Sequence, residues 1–338
     1  MPKKLITYKI VNKSGIKLTS KHLEVVKSHS IIVLEGTVGG DAPKDLIKLY
    51  CFGEARKKDI KNWKKYIAKI GHKWYPNESI TEHYLSIVGN CFGIKIANSK
   101  VIIAEGYVRY LSEHFHTNEQ TLNHGANILS RFINEENNEW IDELDKNKSL
   151  KREVNIVDVL NSIEKIFPNE HSQIFNSFFH MLLFDALTGN NDRHYYNWGV
   201  ISHIENEHKP YFSPIYDTAR GLLWNQSDEK VISLQKEISN PDNKKLINYV
   251  LNSVPKISVP NNTKCNHFEL IEFLENKKYF NNEHKSVWTN RKFLDEAIAI
   301  LDSDFKHLFI KERKEVIQFI LDLRFKKINE ILNKSNYD

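Results

Sequence analysis

The chain has 338 residues, of which 41% are hydrophobic and 27% charged, so it has enough apolar mass for a globular core. A net charge of +5 is too small to indicate nucleic-acid binding, and three widely spaced cysteines argue against a disulfide framework and a zinc site. No secretory signal or apolar run of membrane-spanning length is visible, so we expect a cytoplasmic protein, although secretion without a cleaved signal would leave no such trace.

Strand-like runs separated by turns dominate the first 110 residues. These runs lie at residues 5–11, 30–34, 45–52 and 101–104. Between the second and third runs, several glycines and a proline predict a loop.

The basic segment 54–74 has apolar residues at helical spacing. It predicts a solvated helix whose lysines face water, and a basic surface for an acidic partner is the alternative. The apolar positions are Ile60, Trp63, Tyr66, Ile67 and Ile70. A further helix is predicted at residues 81–88, ending at Gly89 or Gly93.

Helical patterns dominate from about residue 112. An amphipathic helix is predicted at 154–167 and a helix that is apolar on most faces at 174–187, which we expect to be buried. A loop is predicted at 240–263 and three helices at 268–332. The sequence therefore predicts an α+β fold, with a β-rich N-terminal lobe over 1–111, a helical C-terminal lobe over 112–338 and a linker near Tyr107–Leu111.

A polar loop rich in Asn and Asp follows the predicted buried helix directly. Gly189 ends this helix, Asp192 and Asn197 lie in the loop, and an apolar run follows. Function often resides on loops held by a rigid scaffold. A second aspartate, Asp217, ends a predicted strand 25 residues after the first.

These three polar residues match the needs of phosphoryl transfer. The reaction needs a carboxylate to orient the attacking hydroxyl and accept its proton, and Asp192 can supply it. It also needs oxygen ligands for Mg²⁺, which prefers one or two protein oxygens beside phosphate and water. Asn197 and Asp217 can be those ligands.

The motif Asp192-Arg193-His194-Tyr195-Tyr196-Asn197 and the later Pro214-Ile215-Tyr216-Asp217 resemble the HipA-like serine/threonine kinases, especially their short CtkA-type branch. The resemblance implies a two-lobed, protein-kinase-like fold that uses ATP and Mg²⁺. It also implies a protein substrate and an antitoxin-type protein partner, with no direct nucleic-acid contact evident. His194 is a further candidate catalytic residue, or it only braces the loop; Arg193 is a candidate structural ion-pair partner.

A kinase also needs a strand lysine that is held by a helix carboxylate and contacts the nucleotide phosphates. Lys48 lies in an apolar strand-like run and is the candidate, with Glu82 as its partner and Glu78 as the alternative. Gly36, Gly39 and Gly40 could let backbone N–H groups approach the phosphates, although their spacing is not that of a Walker loop.

Two other functions remain open at this stage. A phosphoinositide-type lipid kinase would use the same residues, because lipid kinases share a D-R-H-x-x-N loop. It would need basic residues after Asp217, where 218–230 contains only Arg220 and Lys230, and this favours a protein substrate. An inactive nucleotide-binding pseudokinase or antitoxin partner is the second, and the presence of all three central polar residues argues against it.

Overall fold

A computed structural model describes residues 4–35, 44–133, 138–205, 208–240 and 244–334. Its larger sheet has six strands in the spatial order β1-β5-β6-β4-β3-β2. Only the β1–β5 pair is parallel. The strands are β1 (Val25–Val26), β2 (Ile31–Val33), β3 (Lys44–Leu49), β4 (Lys64–Lys69), β5 (Ser99–Ala104) and β6 (Tyr107–Glu113).

Alternating burial sets the orientation of β3. Asp45, Ile47 and Leu49 are buried, whereas Lys44 and Lys48 lie on the other, partly exposed face. The buried face joins a small core with neighbouring strands, which is the usual pattern for a half-buried strand. This core contains Leu5, Val26, Ile47, Leu49, Tyr66, Ala68, Ile102, Ala104 and Leu111.

The predicted helix over 54–74 is wrong. A short 3-10 turn at Ile60–Asn62 is followed by β4, which lies inside the sheet and pairs with β3 on one side and β6 on the other. Tyr66 and Ala68 are buried on the strand period of two, whereas the intervening Ile67 is only partly buried. Because Ile67 is also apolar, the alternation was hidden in a pattern that looked helical.

Two further expectations in this region are wrong. Residues 5–11 form no strand, and the Ile6 N–H donates to Asp45 Oδ2 at 2.8 Å instead of to a strand backbone. Tyr107–Leu111 is not a linker but part of β6, which is paired on both sides.

The rest of the described chain is mostly helical, with a second sheet of order β7-β8-β9. A β-rich first part followed by a helical part confirms the predicted α+β class, whereas a division at residue 111 stays a prediction. The strands are β7 (Gln120–His124), β8 (Gly199–His203) and β9 (Tyr211–Phe212). The helices are α1 (Asn77–Cys91), α2 (Gly125–Phe132), α3 (Glu139–Lys146), α4 (Leu150–Glu153), α5 (Ile156–Ile166), α6 (His171–Thr188), α7 (Asp228–Gln235), α8 (Lys244–Leu251), α9 (His267–Asn276), α10 (Asn282–Trp288), α11 (Arg291–Ser303) and α12 (Lys311–Lys334).

The helices at 81–88 and 174–187 are confirmed as parts of α1 and α6, and the helix predicted at 154–167 is confirmed as the slightly shorter α5. The predicted loop at 240–263 contains α8, whose Leu246 and Val250 are buried on one face. The three helices expected over 268–332 are four, α9 to α12. Within the described ranges, no helix combines the length and apolar character needed to cross a membrane.

Asp228, the first residue of α7, joins several distant parts of the fold. Its carboxylate accepts hydrogen bonds from Ser14 Oγ (2.9 Å), the Gly15 N–H (2.7 Å), Asn77 Nδ2 (3.1 Å) and Arg313 Nε (2.7 Å). Arg313 has no exposed side-chain surface, and Asp228 has 4%. The pair therefore connects α7 and α12 to α1 and to the N-terminal segment, and breaking such a buried pair is costly.

We expect Asp228→Asn to lower the free energy of unfolding by about 3–5 kcal/mol, because the Arg313 charge would stay buried without its carboxylate. Urea denaturation followed by circular dichroism measures this loss. Glu229→Gln, an exposed change one residue later in the same helical turn, is the matched control and should cost less than about 0.5 kcal/mol. A cost at Asp228 as small as the control's would contradict the anchoring role.

Candidate active site

The buried helix α6 ends where the polar loop begins. Gly189 is the residue that ends it, with a left-handed φ of 70°. A Cβ at this position would lie 2.7 Å from Arg324 Nη2, so both the backbone conformation and the space favour glycine. The predicted helix stop is thus confirmed, and it directs the chain into the loop that contains Asp192.

Arg193 holds this loop in place from inside the protein. Its Nε and Nη2 donate to the two oxygens of Asp185 at 2.9 and 3.0 Å, and its Nη1 donates to Asn197 O at 2.8 Å and to Tyr216 O at 2.6 Å. Both charged side chains are 2% exposed. Burial opposes the charge on Arg193, but the Asp185 carboxylate outweighs it, so the pKa of Arg193 is raised. Arg193 is therefore the structural ion-pair partner that the sequence suggested.

Hydrogen bonds within the loop fix Asp192 and Asn197 relative to each other. Asn197 Nδ2 donates to Asp192 O at 2.7 Å, and the Asp192 N–H donates to Asn190 Oδ1 at 3.1 Å. The Asp192 carboxylate lies 3.2 Å from Arg220 Nε and is 24% exposed. The loop thus presents one partly exposed carboxylate on a rigid backbone.

His194 braces the loop. Its ring Nδ1 accepts a hydrogen bond from the backbone N–H of Tyr196 at 3.2 Å, and the backbone N–H of His194 donates to Asp192 O at 2.8 Å. Burial lowers the pKa of His194, so the ring is neutral near pH 7. These contacts support a positioning role, and a catalytic role for His194 stays a prediction.

Asp217 lies beside two ammonium groups. Its Oδ1 is 3.0 Å from Lys69 Nζ and its Oδ2 is 3.2 Å from Lys44 Nζ. Burial disfavours its charge, but Lys69 and Lys44 outweigh that cost, so the pKa of Asp217 lies well below its usual range. Because Arg193 Nη1 contacts both Asn197 O and the carbonyl just before Asp217, the two predicted metal ligands belong to neighbouring segments.

Lys69, at the end of β4, connects the sheet to helix α1. Its Nζ lies 2.7 Å from Glu82 Oε1, and the two side chains are 8% and 3% exposed. Burial raises the pKa of Glu82 to about 7, and the Lys69 ammonium offsets this effect only in part. Burial disfavours the charge on Lys69 too, but Asp217 and Glu82 outweigh it and raise its pKa. Lys69 is thus the cation shared by α1 and the Asp217 segment.

The predicted pairing of Lys48 with Glu82 is therefore wrong. Lys48 Nζ donates to Ile60 O at 2.9 Å and to Lys61 O at 3.0 Å. In the strand register Lys44 is opposite Lys69, and Lys48 lies four residues further along β3. That spacing is about 13 Å at ~3.3 Å per residue, so Lys48 is at the far end of the strand. Lys44, the strand partner of Lys69, is a second cation beside Asp217 that the sequence analysis did not identify.

Two other predicted elements have different outcomes. Gly36, Gly39 and Gly40 lie outside the described residues. Glu78, the alternative to Glu82, is in the first turn of α1, and burial raises its pKa, but the side chain that contacts Lys69 is Glu82.

The oxygen groups fit magnesium. Asp217 is anionic, and the Nδ2 of Asn197 is engaged, so the amide oxygen is the atom of that side chain that can act as a ligand. Within the described ranges, no group of three or more His, Cys, Asp or Glu side chains could hold a metal alone. An ion that also binds phosphate and water needs only one or two protein oxygens, as this pair provides.

Known proteins resemble the chain in sequence and in fold. The family described as HipA-like C-terminal domain matches residues 36–269. Serine/threonine-protein kinase CtkA of Helicobacter pylori (strain J99 / ATCC 700824) is 25% identical over 256 residues, 72% of each protein. The crystal structure of a Helicobacter pylori proinflammatory kinase CtkA has a TM-score of 0.64 at 20% identity and covers 97% of this chain and 99% of that chain.

A more distant match is HipA of Shewanella oneidensis MR-1, in a complex with HipB and operator DNA. It has a TM-score of 0.47 at 13% identity and covers 89% of this chain and 66% of that chain, which is too remote to carry an argument. The likeness to the CtkA structure confirms the expected two-lobed, kinase-like fold.

The sequence predicts that this site binds ATP with Mg²⁺, and we expect Lys69→Met to weaken that binding by about 10- to 100-fold, because a charged hydrogen bond contributes ~1.5–3 kcal/mol. Isothermal titration calorimetry measures the change. Lys48→Met is the matched control on the neighbouring strand and should bind ATP within about twofold of the unmodified protein. Weakened binding in the Lys48 variant alone would restore the original sequence-based assignment.

Arg193→Lys should lower the free energy of unfolding by about 3 kcal/mol, because lysine keeps the charge but cannot form the two-pronged contact with Asp185. Thermal and urea unfolding measure this loss. Arg131→Lys, at an exposed position of α2, is the control and should change stability by less than about 0.5 kcal/mol. Equal stability of the two variants would show that the paired hydrogen bonds from Arg193 to Asp185 do not hold the loop that contains Asp192.

Proposed function

Because the chain belongs to the HipA-like C-terminal domain family, we propose that it is an ATP-dependent serine/threonine protein kinase. The observation that carries the proposal is the contact of Lys69 with both Glu82 and Asp217. A strand lysine paired with a helix carboxylate, beside a metal-binding aspartate, is the arrangement that protein kinases use to hold nucleotide phosphates.

In the proposed reaction, Asp192 orients the acceptor hydroxyl and takes up its proton as the new oxygen–phosphorus bond forms, and the bond between the γ-phosphorus and the departing ADP oxygen breaks. Asn197 and Asp217 would hold Mg²⁺, which would neutralise charge on the phosphate oxygens. Lys69 would contact the phosphates, and its ion pair with Glu82 keeps it in position. Burial around these groups strengthens each electrostatic interaction relative to water.

The charges of the site support an anionic substrate. Lys44 and Lys69 place two positive charges beside Asp217. A nucleotide brings several negative charges and would share these ammonium groups, so that the Asp217 oxygens could coordinate the metal. The lysines therefore occupy a position that suits phosphate oxygens, and positioned charges of this kind contribute strongly to phosphoryl transfer.

A protein acceptor fits better than a lipid. Segment 218–230 contains two basic residues, Arg220 and Lys230. Arg220 forms an ion pair with the carboxylate of Asp192, and its guanidinium lies 4.6 Å from the ring centre of Trp224. An inositol phosphate would have to take this arginine from the proposed catalytic base. An antitoxin-type protein partner stays a prediction.

The test is incubation with Mg²⁺ and γ-labelled ATP, alone and with a mixture of proteins. We expect label on serine or threonine, reduced by about 100-fold or more in Asp192→Asn and in Asp217→Asn. Asp302→Asn is the control, because this aspartate is 60% exposed and its ion pair with Lys314 is superficial.

The other outcomes discriminate between the alternatives. Tight ATP binding without labelled protein would favour a lipid substrate, to be tried with phosphoinositide vesicles, or an inactive relative. Absence of ATP binding would contradict the kinase proposal itself.

A further inference from the structure

Two adjoining cavities border the loop that contains Asp192. The larger, of about 640 Å³, is lined by Asp192 and Arg220, and the smaller, of about 250 Å³, by His194 and Arg152. Lys151 and Lys256 line both, so the two cavities lie side by side. We call this combined cleft, on both sides of Lys151 and Lys256, the acceptor groove.

The groove is strongly basic for a protein of this modest net charge. Its carboxylates are Asp145 and Asp192, and the second of these is the proposed catalytic base. Its cations are Lys148, Lys151, Arg152, Arg220 and Lys256. The resulting +3 compares with +5 for the whole chain, so much of the excess charge lies at one place.

Three of these cations have no carboxylate partner among the described residues. In the part of the chain that the structure describes, no ion pair joins Lys148, Arg152 or Lys256 to a carboxylate. Lys148 and Arg152 are exposed and Lys256 is half-buried. A concave, uncompensated positive surface beside a reactive carboxylate attracts anionic groups.

Hydrogen bonds make the floor of the groove rigid. Lys151 Nζ donates to Pro255 O, and Ser258 Oγ donates to Lys151 O at 2.7 Å, which together attach α4 to the segment after α8. Ser253 Oγ donates to Gly189 O at 3.1 Å, which attaches the same segment to the start of the catalytic loop. The groove therefore keeps a fixed position relative to Asp192, and preorganisation of this kind favours binding.

We infer that the acceptor groove binds the protein substrate and selects a serine or threonine flanked by acidic residues. This inference rests on the proposed kinase function and adds the class of acceptor. The cations would pair with carboxylates beside the target residue, while Asp192 meets its hydroxyl. Opposite charges arranged in this way give specificity and faster association.

The lining favours a polypeptide over a nucleic acid. Asn191, Asn248 and Asn252 offer amide groups that can hydrogen-bond to an extended main chain. Binding of single-stranded nucleic acid relies on exposed aromatic faces for base stacking. Of the aromatic side chains in the groove, Tyr195 is 2% exposed, and Tyr249 is partly buried with its hydroxyl bonded to the Leu223 N–H.

The test uses three serine peptides that differ only in flanking residues, which are Glu, Ala or Lys. We expect kcat/KM for the Glu peptide to exceed that for the Ala peptide by about tenfold, at low salt, with the Lys peptide poorest. Lys256→Glu should remove this preference while the KM for ATP stays unchanged. Lys292→Glu, an exposed charge reversal on α11 outside both cavities, is the control and should keep the preference.

Direct binding keeps the test independent of activity. Fluorescence anisotropy of labelled copies should give the same order of affinity, lost in Lys256→Glu and kept in Lys292→Glu. If the protein transfers no phosphate to any acceptor, the proposed function fails and binding alone decides the inference. Equal kcat/KM and equal binding for the three peptides would overturn the acidic preference only. The acidic preference would also be overturned if the protein bound single-stranded RNA tightly, lost this binding in Lys256→Glu, and showed no preference among the three peptides.

Discussion

The buried pair of Arg193 and Asp185 is the constraint on which the candidate active site depends. Removing two charges from water is energetically costly, and the pair is stable because each group has hydrogen-bond partners. The Asp185 carboxylate accepts hydrogen bonds from Nε and Nη2 of Arg193 and from Asn190 Nδ2. Nη1 of Arg193 donates to two backbone carbonyls. Those carbonyls belong to the catalytic loop and to the segment before Asp217. A single side chain, held by the buried helix α6, therefore sets the separation of the two parts that must act together.

The cluster of charged side chains around Lys69 is stabilised in a different way. Lys69, Glu82 and Asp217 come from a strand, a helix and a connecting segment, and their charges are satisfied by one another rather than by the core. Asp217 keeps a depressed pKa while the pKa of Glu82 is raised to about 7, because Lys44 also serves Asp217 whereas burial dominates at Glu82. An incoming polyanion can share these lysines without breaking the hydrophobic core, so the site can accept charge at little structural cost.

The sequence predicted the position of the polar loop that contains Asp192 well, because the signal for that loop is local. The spacing from Asp192 to Asn197, the stop at Gly189 and the apolar helix before it all lie within one short stretch. The lysine that pairs with Glu82 was not predictable in this way. Lys48 lies in an apolar run and Lys69 in a basic one, so local composition favoured the wrong residue. Lys69 lies beside Glu82 only because β4 pairs with β3 on one side and with β6 on the other. Strand pairing is a tertiary property that local periodicity does not record.

The proposed acceptor groove extends the same electrostatic logic to the second substrate. Lys44 and Lys69 place positive charge at Asp217, and Lys148, Arg152 and Lys256 place it beyond the loop of Asp192. Two anionic reactants would therefore be attracted to sites that the buried Arg193 keeps at a fixed separation. Arg220 lies at the boundary, with one contact to the carboxylate of Asp192 and its guanidinium over Trp224. Because salt screens exposed charges much more than the buried Lys69–Glu82 pair, acceptor selection should depend on ionic strength more strongly than nucleotide binding does.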